Sequence, residues 1–101
     1  MTNMELIAAE LDAAKRKHPT FCDRLIDTRA VTWADSEAAI KRRNSHGPYS
    51  ADNIIMEELA EAMSSYAHGD LAHAVQELAQ CAAVCVRAME YIQTEMEKTN
   101  K

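Results

Sequence analysis

The sequence predicts an all-α protein, a small bundle of about four helices completed by oligomerisation. Composition is the first reason: the chain has only 2 Gly and 2 Pro in 101 residues and is rich in Ala, Glu and Met, which favours helices over loops. The second is periodicity, because Leu71, Val75, Leu78, Ala82, Cys85, Met89, Ile92 and Met96 recur at alternating gaps of four and three, the spacing of a helical packing face. The third is a neighbouring strip on the same segment, formed by Ala74, Cys81, Val84, Ala88 and Tyr91. Two apolar strips on one helix exceed what a single partner helix can cover, so self-association is expected to close the bundle. A domain this small also leaves much of its surface open to such association.

Residues 3 to about 18 read as the first helix, with Met4, Ile7, Leu11 and Ala14 on one side and Asn3 as its cap. Pro19 ends it, and Lys15, Arg16, Lys17 and His18 occupy its last turn, where cations suit the helix dipole. From Thr20 to about Asn44 the pattern is helical but less regular. Phe21, Leu25, Thr28, Val31 and Ile40 mark its apolar side, and Thr32 with Asp35 offers a cap that splits it near Trp33. Trp33, the only tryptophan, reads first as a core anchor and second as a nucleobase stack or subunit contact.

Lys41, Arg42 and Arg43 close this segment, and Gly47-Pro48 marks a loop after it. Ser50 or Asp52 caps the third helix, which carries Ile55, Leu59, Ala62 and Tyr66 as one stripe and Ile54, Glu58, Glu61 and Ser65 as its neighbour. His68-Gly69-Asp70 is a break so short that the third and fourth helices must be antiparallel neighbours, with Gly69 as stop and Asp70 as cap. Residues 93–101 turn polar and are expected to fray. The whole chain, 1–101, reads as one domain, with its motif-bearing part at about 33–92.

A net charge of −5, from 11 Lys+Arg against 16 Asp+Glu, disfavours bulk nucleic-acid binding. No apolar run approaches the roughly 20 residues of a membrane span, and no signal-peptide pattern opens the chain, so a cytoplasmic location is expected. Cys22, Cys81 and Cys85 make an odd count, which argues for reduced thiols. Cys81 and Cys85 fall on the two apolar strips, so packing accounts for them better than a thiolate site with His73.

Glu58, Glu61, Glu77 and Gln80 are the residues that carry chemistry. Within each pair, residues three apart share a helix face, so two facing pairs could direct their oxygens at one hard cation. Glu77 lies about 120° from Leu71, inside the second apolar strip, and a carboxylate there needs a partner because lost hydration costs several kcal/mol. A solvated acidic face is the bland alternative. His73, one turn before Glu77, could bond that carboxylate or reach a substrate. Lys41, Arg42 and Arg43, beside the loop, would suit a triphosphate, or else merely cap a helix end. No Walker-type loop, Ser-His-Asp set or Gly-rich dinucleotide fingerprint is present.

Glu58-Leu59-Ala60-Glu61, fifteen residues at 62–76, then Glu77-Leu78-Ala79-Gln80 resembles the MazG-like all-α nucleoside triphosphate pyrophosphohydrolases, whose signature is Glu-x-x-Glu followed by Glu-x-x-Asp. Gln80 stands where the family usually has Asp and offers a neutral carbonyl oxygen. The resemblance implies Mg²⁺, or Mn²⁺, held by Glu58, Glu61 and Glu77 with Gln80 as a weaker ligand. It also implies a triphosphate gripped by Lys41, Arg42 and Arg43, a glutamate (Glu57 is the spare one) taking a proton from the attacking water, and a dimer or tetramer. A helical module of the same type that binds a nucleotide or a protein partner without turnover is the alternative, and Gln80 favours it.

Overall fold

The computed structural model describes residues 1–27, 30–47 and 49–100, and leaves the side chains of residues 30 and 31 aside. Thr28 and Pro48, expected on the apolar side and in the loop, and Lys101 of the tail lie outside the described residues, as does the side chain of Val31. The fold is all-helical, with α1 at Asn3–Lys17, α2 at Ala30–Asn44, α3 at Ala51–Ala67 and α4 at Leu71–Thr99.

Local chemistry sets each boundary. At the start of α1 the cap is Thr2 and not Asn3: the Glu5 N–H donates to the Thr2 hydroxyl, and the Glu5 carboxylate accepts from the Thr2 N–H at 2.8 Å. This reciprocal pair satisfies two otherwise unpartnered amides. The helix stops before Pro19, as its ring requires. Residues 20–27, expected to be helical, are not, and α2 runs unbroken through Trp33 with no split at Thr32. Ser50 precedes α3 but makes no cap bond with its side chain, whereas Asp52 accepts from the Asn53 N–H. Gly69, at φ 84, supplies the left-handed residue that ends α3, and the Asp70 carboxylate accepts from the His73 N–H at 3.2 Å to start α4. That helix continues past Ile92 to Thr99, with every residue beyond Met89 exposed.

Three helices make the core, and α3 lies in the middle, packed on α2 and on α4. Its buried residues are Ala60, Ala62, Met63 and Ser64; α2 contributes Ile40 and Asn44, and α4 contributes Ala74 and Glu77. Small alanines let the helix axes approach closely, and the Asn44 side chain ties α2 to the Asn53 carbonyl at 3.3 Å. Of the two apolar strips on α4, the second one faces inward: Ala74 is buried and Cys81, Val84 and Ala88 are half-buried. On the longer strip Leu71, Val75, Ala82, Cys85, Ile92 and Met96 are exposed.

Packed only weakly on the rest, α1 has no buried residue and leaves Met4, Ile7 and Leu11 open. An amide pair ties it to α4, in which Asn3 and Gln93 each donate to the other, at 3.1 and 2.8 Å. The outline is correspondingly flat, 48 × 42 × 19 Å, with a radius of gyration of 16.0 Å. A compact chain of this length would give about 13 Å. Among the described residues, no helix is long and apolar enough to cross a membrane.

Candidate functional site

The acidic residues gather where α3 meets both of its neighbours. The tight break at Gly69 folds α4 back along α3, so the stripe of Glu58, Glu61 and Ser65 confronts the first turns of α4. Ser65 shows the register: its hydroxyl donates to Glu77 Oε1 at 2.5 Å. With 6% of its surface exposed, Glu77 is a buried carboxylate, and that hydrogen bond offsets part of its lost hydration. His73 Nδ1 stands 3.9 Å from the same oxygen and 3.6 Å from Asp70 Oδ2. More than half of the His73 side chain is exposed, so these contacts are weak.

Glu58 is less well provided for. Its Oε2 is buried and finds no hydrogen-bond partner among the described residues. An orphaned buried acceptor costs about 1–3 kcal/mol, and more when charged. Glu61, one turn on, is mostly buried too. Burial pushes its carboxyl above the ordinary range; Lys41 opposes this, and the charges of Glu58, Glu57 and Glu77 push the same way as burial. The charges of three other carboxylates are thus felt at Glu61.

Counter-charge comes from α2. Lys41 Nζ lies 2.9 Å from Glu37 Oε1 and 3.6 Å from Glu61 Oε1. The Glu37 carboxylate, ahead of burial and of the charges of Glu61 and Glu57, sets the Lys41 ammonium, which is held above its usual range. Burial pushes the Glu37 carboxyl up, but hydrogen bonds from Lys41 and Ser64 outweigh it and leave the group below its ordinary value. Half of the Lys41 side chain is exposed, so each pair contributes no more than about 1 kcal/mol.

Glu57, Glu58, Glu61, Glu77 and Lys41 are thus brought together. Gln80 is exposed, as are Arg42 and Arg43. Arg43 Nη1 donates to Asn53 Oδ1 at 3.5 Å, which tethers it at the edge of the α2–α3 contact. Trp33 is half-buried and lines a groove of about 360 Å³ with Ile40, Arg43, Met56 and Leu59, so its ring is neither a sealed core anchor nor free. The cysteines are free; Cys81 Sγ lies 3.9 Å from the Ile55 carbonyl, and burial, with Cys85 beside it, pushes its thiol up.

Two participants, Glu37 and Ser65, escaped the sequence reading. Glu37 and Lys41 stand at the i,i+4 spacing that pairs Glu with a following Lys, a signal present in the sequence. Ser65 was on the right stripe, but nothing in its type announced a bond to Glu77. As the side chains lie, Glu61 turns toward Lys41 and Glu77 toward Ser65. Among the described residues no three His, Cys, Asp or Glu side chains form a group ready to hold a metal ion. Comparison with protein-family models, with curated proteins and with solved structures finds no match to the chain.

Proposed function

We propose that this protein is a cytoplasmic, divalent-cation-dependent nucleoside triphosphate pyrophosphohydrolase, which converts a nucleoside or deoxynucleoside triphosphate into the monophosphate and pyrophosphate. The observation that carries the reading is the buried, unpartnered Glu58 Oε2, one turn before Glu61, whose carboxyl is pushed up by the charges of both Glu58 and Glu77. Natural proteins rarely keep such an atom unless something else completes it. The donor types suit Mg²⁺ or Mn²⁺, because every available donor is a hard oxygen and Glu61 bears a charge its surroundings disfavour; to share an ion Glu61 would turn from Lys41 and Glu77 from Ser65. Glu58, Glu61 and Glu77 would hold the ion, with the carbonyl of Gln80 as a weaker ligand. Spacing supports the same reading through its resemblance to the MazG-like enzymes.

When bound, the cation supplies charge neutralisation to the phosphates and lowers the pKa of a coordinated water. The chain's own side chains do the rest. Lys41, with Arg42 and Arg43 after it on α2, would meet the phosphates, and His73, 3.9 Å from Glu77, would meet them from α4. A chain of net charge −5 would otherwise repel that ligand. The water's oxygen bonds to the α-phosphorus, the bond to the bridging oxygen breaks, and its electron pair leaves with pyrophosphate. Glu57, half-buried beside Glu61, takes the proton.

Purified protein incubated with Mg²⁺ and a panel of ribo- and deoxynucleoside triphosphates is expected to release pyrophosphate from at least one, and chelation of the metal to stop it. Absence of pyrophosphate from every base, with nucleotide binding intact, would instead establish the second reading, a non-catalytic nucleotide-binding module. The exposed, uncharged Gln80 favours that reading.

Self-association belongs to the same proposal. The open strip on α4 and the uncovered side of α1 offer a second copy the apolar surface that one copy leaves wet. Sedimentation velocity is expected to give a dimer or tetramer of the 11.3 kDa chain, and Val75→Glu, at a position 69% exposed in the single chain, to yield monomers. A wild-type monomer would remove this part of the proposal.

A further inference from the structure

We infer that Lys41 is the built-in competitor of the divalent cation: its ammonium holds Glu61 when no ion is bound, and an arriving ion displaces it from Glu61 while Glu37 keeps it at the mouth of the site. This rests on the cation-binding reading above and adds a regulatory role to a residue otherwise assigned to phosphate.

Geometry carries the inference. Nζ bridges two helices unequally, 2.9 Å from Glu37 on its own helix and 3.6 Å from Glu61 on α3. The shorter contact is the anchor, since both residues are one turn apart on α2 and move together. The longer contact is the one that can open. Nearly four-fifths of the Glu61 side chain is buried, against half of Lys41, so Lys41 can rotate toward water while Glu61 stays in place. Glu61 also feels the charges of Glu57, Glu58 and Glu77, which a single ammonium cannot balance and a doubly charged ion balances better. Ser65, which bonds Glu77, has no comparable charge and is no rival to the ion. An ammonium turned off Glu61 yet tethered to Glu37 stays on α2 beside the acidic residues, where a phosphate chain on the bound ion would meet it. Cation loading and exposure of a phosphate-binding charge are thereby one event.

The test is a calorimetric titration of Mn²⁺ into wild type, Lys41→Met and Lys41→Arg, without nucleotide, with circular dichroism as the check on folding. Lys41→Met is expected to bind Mn²⁺ about tenfold tighter than wild type, and Lys41→Arg, which keeps the competing charge, to stay near wild type. A merely structural lysine would weaken binding when removed, so the direction of the change is diagnostic. Equal or weaker Mn²⁺ affinity in a folded Lys41→Met, with wild type binding, overturns the competitor role and leaves the cation site standing. No Mn²⁺ uptake by any of the three removes the cation site itself, and the role of Lys41 with it.

Discussion

Glu58→Gln is expected to lower pyrophosphate release by about a hundredfold or more while leaving the protein as stable as wild type or more so. The loss follows from removing a charged ligand oxygen; even groups one step outside a metal's ligands are worth about 10–100-fold. The stability result follows from the same atom. Glu58 Oε2 is buried without a partner, and the Glu58 charge is one of those that push the Glu61 carboxyl up. Gln keeps the shape and removes the charge that disfavours an ionised Glu61. Relief on the order of 1 kcal/mol would raise the melting temperature by about 4–8 °C in a domain of this size. A group retained at a cost to folding marks a functional site, so the two measurements must move in opposite directions. If Gln at this position destabilises the fold and spares turnover, Glu58 is a structural residue and the proposed chemistry is wrong.

Ala62→Leu is expected to give the largest stability loss, about 1–3 kcal/mol, read as a fall of about 4–8 °C in melting temperature per kcal/mol. Ala62 is 0% exposed on the central helix, so no neighbouring volume is free for three more carbons. The same substitution at Ala79, which is exposed, should stay within about 0.5 kcal/mol. Overpacking at Ala62 would also push α3 from its neighbours and separate the acidic faces, so cation affinity should weaken with stability. A Leu tolerated at this position without a thermal shift would show that the helices are not in close contact there.

How far such a structure can be read from sequence differs between its parts. Helix spans on either side of the Gly69 break were legible, because a residue at positive φ and a capping aspartate are local signals. Asn3 was mistaken for Thr2 as the first cap, since both are cap formers and only the bond to Glu5 decides between them. The non-helical stretch at 20–27 was missed because Phe21 and Leu25 mimic helical spacing, yet both side chains are exposed. The stripe holding Glu58 and Glu61 was legible from its period, as was the approach of Glu77. Glu37 was not, because its role depends on how α2 crosses α3, and crossing geometry leaves no mark in a local pattern. Nor could periodicity tell which of two apolar strips on α4 would face inward. The inner one is the strip that contains the small Ala74 and the buried Glu77, and close approach favours small side chains over Leu71 and Val75.

The amide pair between Asn3 and Gln93 has a further consequence. Two exposed neutral hydrogen bonds contribute about 1 kcal/mol each at most, too little to make the melting of the N-terminal helix and of the three-helix core one transition. The chain is therefore expected to open as two cooperative units: an inner one whose amide protons exchange only on global opening, and an outer arm whose protons exchange through local unfolding at little cost.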